Sequence, residues 1–280
     1  MRQLIINADD FGMSYEVNEG IKRCIEAGTV NSTSLLVNMP YFEDAVEYLR
    51  TKPNVSVGLH FNITEGKPID LPAQRSTLIR EDDNFVHWVS LTFKLLTNNC
   101  SIKEIKYALT TQYEKLEKTG LPISHIDSHH HIHLYPSIYR IVLDFAHRKN
   151  TRSLRSRNFN LLSSIKHFRA VPTLKEIIIL SLCFINTIFF SQTNGDILEV
   201  VGIYDMSWDS HVDKDKFYQV ISRVKEGVSE IICHPAIYSK TGNPKFLKAR
   251  NKTLEILTSK SFQKHLMSNN IQMFKRNGHA

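Results

Sequence analysis

Much of what this chain lacks narrows its class. Cysteine is scarce: Cys24, Cys100, Cys183 and Cys233 are the only four in 280 residues, and no two form a Cys-x-x-Cys pair. That spacing argues against a zinc ribbon or a disulfide framework and suits a reducing, cytoplasmic setting. No Gly-x-Gly-x-x-Gly follows the first predicted strand, which weakens a dinucleotide-binding reading. Long apolar runs are missing too. The most apolar stretch, Ile177 to Phe190, has 14 residues and is broken by Ser181, Asn186 and Thr187. It falls short of the roughly 20 residues that span a bilayer, so a buried helix is expected and no integral membrane segment. At the start, Asn7-Ala8-Asp9-Asp10 follows only Leu4-Ile5-Ile6, which leaves no room for a signal-peptide core. Acidic residues are absent from Phe145 to Lys175, where eight Lys or Arg contribute to a net charge of +7. Without an interleaved aromatic platform or a recognisable binding motif, that run reads as a solvated face or a basic rim that attracts an anionic substrate. No nucleic-acid partner is expected.

The totals, 42% hydrophobic and 22% charged, describe an ordinary globular protein, and the length alone does not choose between one domain and two. Short apolar segments alternate with helical patterns. Leu4–Ala8 reads as a buried strand running into Asp9-Asp10-Phe11-Gly12, and Val17–Ala27 as a helix stopped at Gly28. Strand Thr33–Val37, helix Phe42–Arg50 and strand Val55–Phe61 follow. A long loop covers Glu65–Phe85, and loops of that length are often functional. Ser101 with Glu104 forms a capping box for a helix to about Thr119. Further along come a histidine strand, helices Pro136–Arg148 and Thr173–Phe190, and strands at Arg152–Arg155, Leu198–Ile203, Glu230–Cys233 and Ile271–Phe274. Helices are expected at Lys214–Gly227, around Asn251–Lys260 and from Phe262. Alternation of this kind implies a parallel sheet covered on both faces, and seven or eight strands favour an irregular closed barrel over an open doubly wound sheet.

Histidine is what the chain has in excess at one place. Five of the nine residues from His125 to His133 are histidine, out of thirteen in the whole sequence. In an extended segment His125, Asp127 and His129 share one face. Asp9-Asp10, His60, Asp127 to His129 and His234 each fall at the C-terminal end of a predicted strand, and in a barrel those ends meet on one rim, where active sites are built. One carboxylate and two imidazoles with open positions suit catalytic zinc or a similar divalent ion. The same set also matches the facial triad of non-haem iron oxygenases. Any one of these histidines has a bland reading as a core residue satisfied by backbone.

Asn7-Ala-Asp-Asp-Phe-Gly12, Thr33-Ser34 with Val37-Asn38, Gly58-Leu-His-Phe61, His125-Ile-Asp-Ser-His-His-His-Ile-His133 and Cys233-His-Pro235 together resemble the YdjC family of carbohydrate deacetylases, which includes the chitooligosaccharide deacetylases. The motifs come in the family's order from residue 4 to about 148 and from about 229 to 260, and an insert-like region around 156–228 matches little. The resemblance implies a distorted (β/α) TIM-like barrel of mostly parallel strands, a single domain over 1–280, removing acetyl groups from N-acetylated sugars with one divalent metal ion, magnesium or zinc. Carried over residue by residue, it implies Asp10, His60 and His129 as metal ligands, Asp9 as general base and His234 as general acid. Asp127 would stand behind the ligands, and Arg155 near the substrate, the alternative being an exposed arginine on a basic rim.

The partner expected is a small carbohydrate, phosphorylated if the basic run Arg148–Arg169 faces the site, and a homodimer is compatible with the sequence. Another metal-dependent hydrolase, an iron oxygenase and a non-catalytic carbohydrate- or metal-binding protein remain the alternatives. His130, His131 and His133 are not sorted by sequence. His87, His147, His167, His211, His265 and His279 read as surface or core residues. Trp88 and Trp208 could stack on a sugar ring, although buried packing is the commoner role of tryptophan.

Overall fold

Eight parallel strands curl into a half-barrel in the computed structural model, which describes residues 1–70, 76–151, 153–155, 174–190, 197–203, 214–240 and 244–276. The strands are β1 (Arg2–Phe11), β2 (Ser32–Leu35), β3 (Ser56–Phe61), β4 (Ile123–Ser128), β5 (Ser153–Leu154), β6 (Ile197–Ile203), β7 (Gly227–Cys233) and β8 (Ile271–Met273). Their order is β5-β4-β3-β2-β1-β7-β6, with β8 also paired to β1. Among the described residues β5 and β6 are edges, so the expected barrel is distorted to the point of remaining open. β1 is central because Leu4, Ile5, Ile6 and Ala8 are fully buried on both faces, as parallel strands under helices require. Its first half pairs with β7 and β8, and its second half with β7 and β2.

The helices are α1 (Tyr15–Glu26), α2 (Phe42–Arg50), α3 (Trp88–Leu96), α4 (Ile102–Glu117), α5 (Pro136–Arg148), α6 (Leu174–Phe189), α7 (Lys214–Ser222), α8 (Pro244–Leu257) and α9 (Lys260–Ser268). Ser14 caps α1, and Gly28 with φ +69 follows its end. Gly20 lies on the face of α1 that meets the loop after β7, where an added Cβ would sit 2.4 Å from Ala236 Cα. That close approach fixes the segment carrying His234.

Several expectations change. α3 falls in a stretch given no element from sequence. The strand expected from Arg152 shows only Ser153–Leu154, with Arg152 outside the described residues, and α7 ends at Ser222 because β7 already begins at Gly227. The capping box at α4 is half formed. Ser101 Oγ accepts from the Glu104 N–H at 3.3 Å, but the Glu104 carboxylate turns away to accept from Thr77 N–H and the Ser76 hydroxyl. α6 is not a buried helix. Ile179, Cys183 and Asn186 face inward, while Phe184 and Phe189 are 68% and 72% exposed. Its residues are apolar on nearly every side, so sequence periodicity could not say which face would be covered.

Candidate metal centre and active site

The strand ends deliver the chemistry to one rim, and a bulge in β1 sharpens the aim. Adjacent residues of a strand point to opposite faces, so Asp9 and Asp10 would ordinarily diverge. Ala8 pairs with Thr33 and Phe11 with Leu35, which leaves two residues of β1 opposite the single Ser34. Such an extra residue kinks the strand and redirects its side chain. Asp10 takes up the kink with φ 70. Both carboxylates then reach the same imidazole: His60 Nε2 lies 3.3 Å from Asp10 Oδ1 and 3.9 Å from Asp9 Oδ2.

The three expected ligands converge. Asp10 Oδ1 is 2.9 Å from His129 Nδ1 as well as close to His60 Nε2, and one donor atom from each residue lies within 4.8 Å of the others. The far nitrogen of each imidazole is engaged by a carboxylate. His60 Nδ1 meets Asp127 Oδ1 at 2.7 Å, and His129 Nε2 meets Glu65 Oε2 at 2.9 Å. Because a carboxylate only accepts, those far nitrogens carry the protons, and both near nitrogens turn lone pairs towards an anionic oxygen. That contact is repulsive unless a proton or a cation lies between them. The donor set, one carboxylate oxygen and two imidazole nitrogens short of four ligands, suits zinc or a similar divalent ion with open positions.

Charge balance gives the same answer. Asp9, Asp10, Asp127, Glu230 and Glu65 face Arg155, Arg250 and Arg276 in one connected network. With neutral imidazoles two negative charges remain, which one divalent ion or two protons would neutralise. In the metal-free site the protons take that place. Burial opposes charge on His60, but the carboxylates of Asp127 and Asp9 outweigh it and raise its pKa to about 10. His129 is raised in the same way, burial being overcome by Asp10. Burial works against the Asp10 anion, yet His129 and Arg250 hold its pKa well below the usual carboxylate range.

Arg155 is the centre of the buried network. It is 0% exposed, so the picture of an exposed arginine on a basic rim does not hold. Its Nη1 and Nη2 grip the two oxygens of Asp9 at 2.7 and 2.6 Å, Nη2 also meets Asp127 Oδ2 at 2.6 Å, and Nε donates to Glu230 at 3.1 Å. Every guanidinium nitrogen is thus committed to a carboxylate, and the groups it touches are protein carboxylates. Asn7 Nδ2 adds a bond to Asp9 Oδ1 at 2.8 Å, and Ser34 Oγ donates to Asp127 at 2.7 Å. His234, just past β7, places Nε2 3.9 Å from Asp9 Oδ2 and is 13% exposed. It sits at the opening of the site.

The remaining histidines sort by burial. His125 packs into space left by Gly58, where an added Cβ would lie 2.4 Å from its Nε2. Its pKa is driven down by burial and then by Arg276, and that of His133 falls to about 3 through burial and Arg155. Both are neutral core groups. His131 is buried, while His130 is partly exposed and stacks on His129 with ring centroids 4.1 Å apart. His87 and His147 are exposed and His265 half-buried. His167, His211, His279 and Trp208 lie outside the described residues, as does most of the basic run 148–169.

Sequence reasoning missed Glu65, Arg250, Glu230 and Arg276. Glu65 had a signal: it lies five residues past His60, and Asn38 and Asn62 both donate to its backbone oxygen, at 3.0 and 2.8 Å. Arg250 reaches Asp10 Oδ2 at 2.7 Å from the middle of α8, and only the fold brings it there.

Comparison with known proteins gives a consistent picture. The pattern of the YdjC-like protein family matches residues 3–268. A carbohydrate deacetylase of Brevibacillus brevis is 30% identical over 284 residues, covering 97% of this chain and 97% of the relative. Another, from Thermoanaerobacter pseudethanolicus, is 27% identical and covers 97% and 96%. A crystal structure from Enterococcus faecalis V583, ascribed to a cellobiose-phosphate cleavage protein, superimposes with a TM-score of 0.73 at 28% identity, covering 98% of this chain and 97% of that one.

Proposed function

Because this chain belongs to the YdjC-like family, matched from residue 3 to 268, we propose that it is a carbohydrate deacetylase. It uses one divalent metal ion to hydrolyse the N-acetyl group of an amino sugar or short N-acetylglucosamine oligosaccharide, releasing acetate. The observation that carries this reading is the convergence of Asp10, His60 and His129 on one point, with Asp9 and His234 3.9 Å apart beside it.

Asp10, His60 and His129 hold the ion, with Asp127 and Glu65 fixing the two imidazoles from behind. Such an ion would polarise the acetamide carbonyl and bring the pKa of a bound water towards about 7. Asp9 is the carboxylate left to take the water's proton. Arg155 and Asn7 hold its orientation. We read Arg155 as a positioning residue for Asp9 rather than a contact to the sugar. An amide nitrogen cannot leave as an anion, so it must be protonated as the carbon–nitrogen bond breaks. We assign that proton to His234, whose Nε2 stands 3.9 Å from Asp9. Four free thiols support a reducing, cytoplasmic setting.

Acetate release from N,N′-diacetylchitobiose, by chelated protein and after zinc or magnesium is added back, tests this directly. Metal-restored release is expected. No release at full metal occupancy would move the reading to another acylated substrate. The Asp-His-His set also suits iron, and turnover that required dioxygen would favour an oxygenase instead. Matched neutral and phosphorylated sugars turned over at equal rates would remove the anionic-substrate reading of the basic run.

A further inference from the structure

Beyond the reacting centre, the mouth carries an aromatic group that the proposed chemistry does not use. His130 follows the ligand His129 directly, and both His130 and His131 have left-handed backbones, with φ 55 and 56. That conformation is unfavourable for residues with a Cβ and persists where the surroundings impose it, often at functional sites. Here it lays the His130 ring against His129, tilted by 30°. The next ring outward is Trp88, 6.1 Å from His130 and edge-on to it, with His87 at 5.7 Å from Trp88 and 6.4 Å from His130. His130 and Trp88 are partly exposed and His87 is exposed. The long loop after β3 brings these residues back to the site: Phe85 N–H donates to the Gly66 oxygen at 2.8 Å, so the chain returns beside Glu65 just before His87. Glu65 itself is half-exposed, its side chain 48% accessible.

We propose that Trp88, His130 and His87, with the Glu65 carboxylate at their edge, form a subsite for a second pyranose ring of the substrate. The apolar face of a pyranose packs on aromatic rings, and its equatorial hydroxyls seek a few fixed acceptors at the rim. Ligand sites commonly combine aromatic walls and sparse polar groups in this way. The subsite selects disaccharides and longer chains over a single amino sugar. It rests on the deacetylase reading for the orientation of the chain, but its occupancy can be read without turnover.

The test uses the full-length, metal-loaded protein carrying Trp208→Phe, which leaves Trp88 as the sole tryptophan. N,N′-diacetylchitobiose should shift Trp88 fluorescence at concentrations at least about tenfold below those at which N-acetylglucosamine does. In the otherwise unaltered chain, Trp88→Ala should raise KM for the disaccharide about tenfold with little change in kcat. It should lower kcat/KM for the monosaccharide far less than for the disaccharide, and Trp88→Phe should restore most of the affinity. Equal fluorescence responses to the two sugars, or a Trp88→Ala protein with unaltered disaccharide KM, would overturn the subsite. If no acetate is released from either sugar the deacetylase reading fails, and the fluorescence titration still decides the subsite.

Discussion

The floor and the mouth of the site solve the same problem with different materials. On the floor, His60 is held by Asp127, and both are fully buried among Arg155, Asp9 and Glu230. At the mouth, His129 is held by Glu65, a half-exposed carboxylate beside a partly exposed ring stack. Each imidazole has an anionic partner behind it and turns its second nitrogen to Asp10 in front. The difference is solvent. Charges on the floor are strongly coupled because water cannot screen them, whereas the mouth pair is partly screened. The floor therefore carries most of the grip on a bound cation, and the mouth adjusts it.

Variants on the two sides should separate these roles. The largest effect expected is that of Asp9→Asn on the floor, with turnover falling by about 10²–10⁴ while bound metal is retained, measured by acetate release beside elemental analysis. Arg155→Met should cost about 3–5 kcal/mol in stability, because Asp9, Asp127 and Glu230 would be left buried without their common counter-charge. Denaturant unfolding checks this, and a loss below about 1 kcal/mol would mean that the carboxylates relax into water. Asp127→Asn should weaken metal binding by about 10–100-fold. Glu65→Gln, which keeps an acceptor for His129, should weaken it by only about a few-fold. Equal losses in competition with a chelator would erase the distinction between floor and mouth.

A smaller effect is expected in the pH dependence of stability. His60 in the metal-free protein has its pKa raised to about 10 from an ordinary value near 6.5. Its contribution is therefore full below about pH 6.5 and is lost as the pH rises through 10. His133 has its pKa depressed to about 3, so its contribution is full above about pH 6.5 and is lost as the pH falls towards 3. A bound cation replaces the His60 proton but leaves His133 untouched. Thermal unfolding should show the alkaline loss of stability disappear on metal loading while the acid loss remains. An alkaline limb of equal size in both forms would contradict the placement of the cation against His60.

The strand-end residues were legible in the sequence on both sides of the site, while Glu65 and helix α3 at the mouth were not. Asp9, Asp10, His60, Asp127, His129 and His234 stand at the ends of short apolar runs, and parallel topology brings such ends together without side-chain detail. The bulge at Asp9-Asp10 was invisible, because a single shift in pairing leaves no mark on composition. α3 went unseen because its first residue follows His87, not one of the common capping residues, and because Val89, Phe93 and Leu96 are exposed apolar residues. The capping pattern at Ser101 and Glu104 was real in sequence, yet Thr77 and Ser76 competed successfully for the carboxylate. Arg250 and Arg276 reach the network from a helix and from the chain beyond β8. Distant charges of that kind become partners only once the fold exists.

Metal stoichiometry across a small set of variants tests the central claim most directly. Titrating zinc into chelated protein should give one tight equivalent in the unaltered chain and in Asp9→Asn. His60→Ala and His129→Ala should each lose it, while keeping a folded circular-dichroism spectrum. One undiminished equivalent in both histidine variants would contradict the Asp10–His60–His129 centre, as would its loss in Asp9→Asn alone.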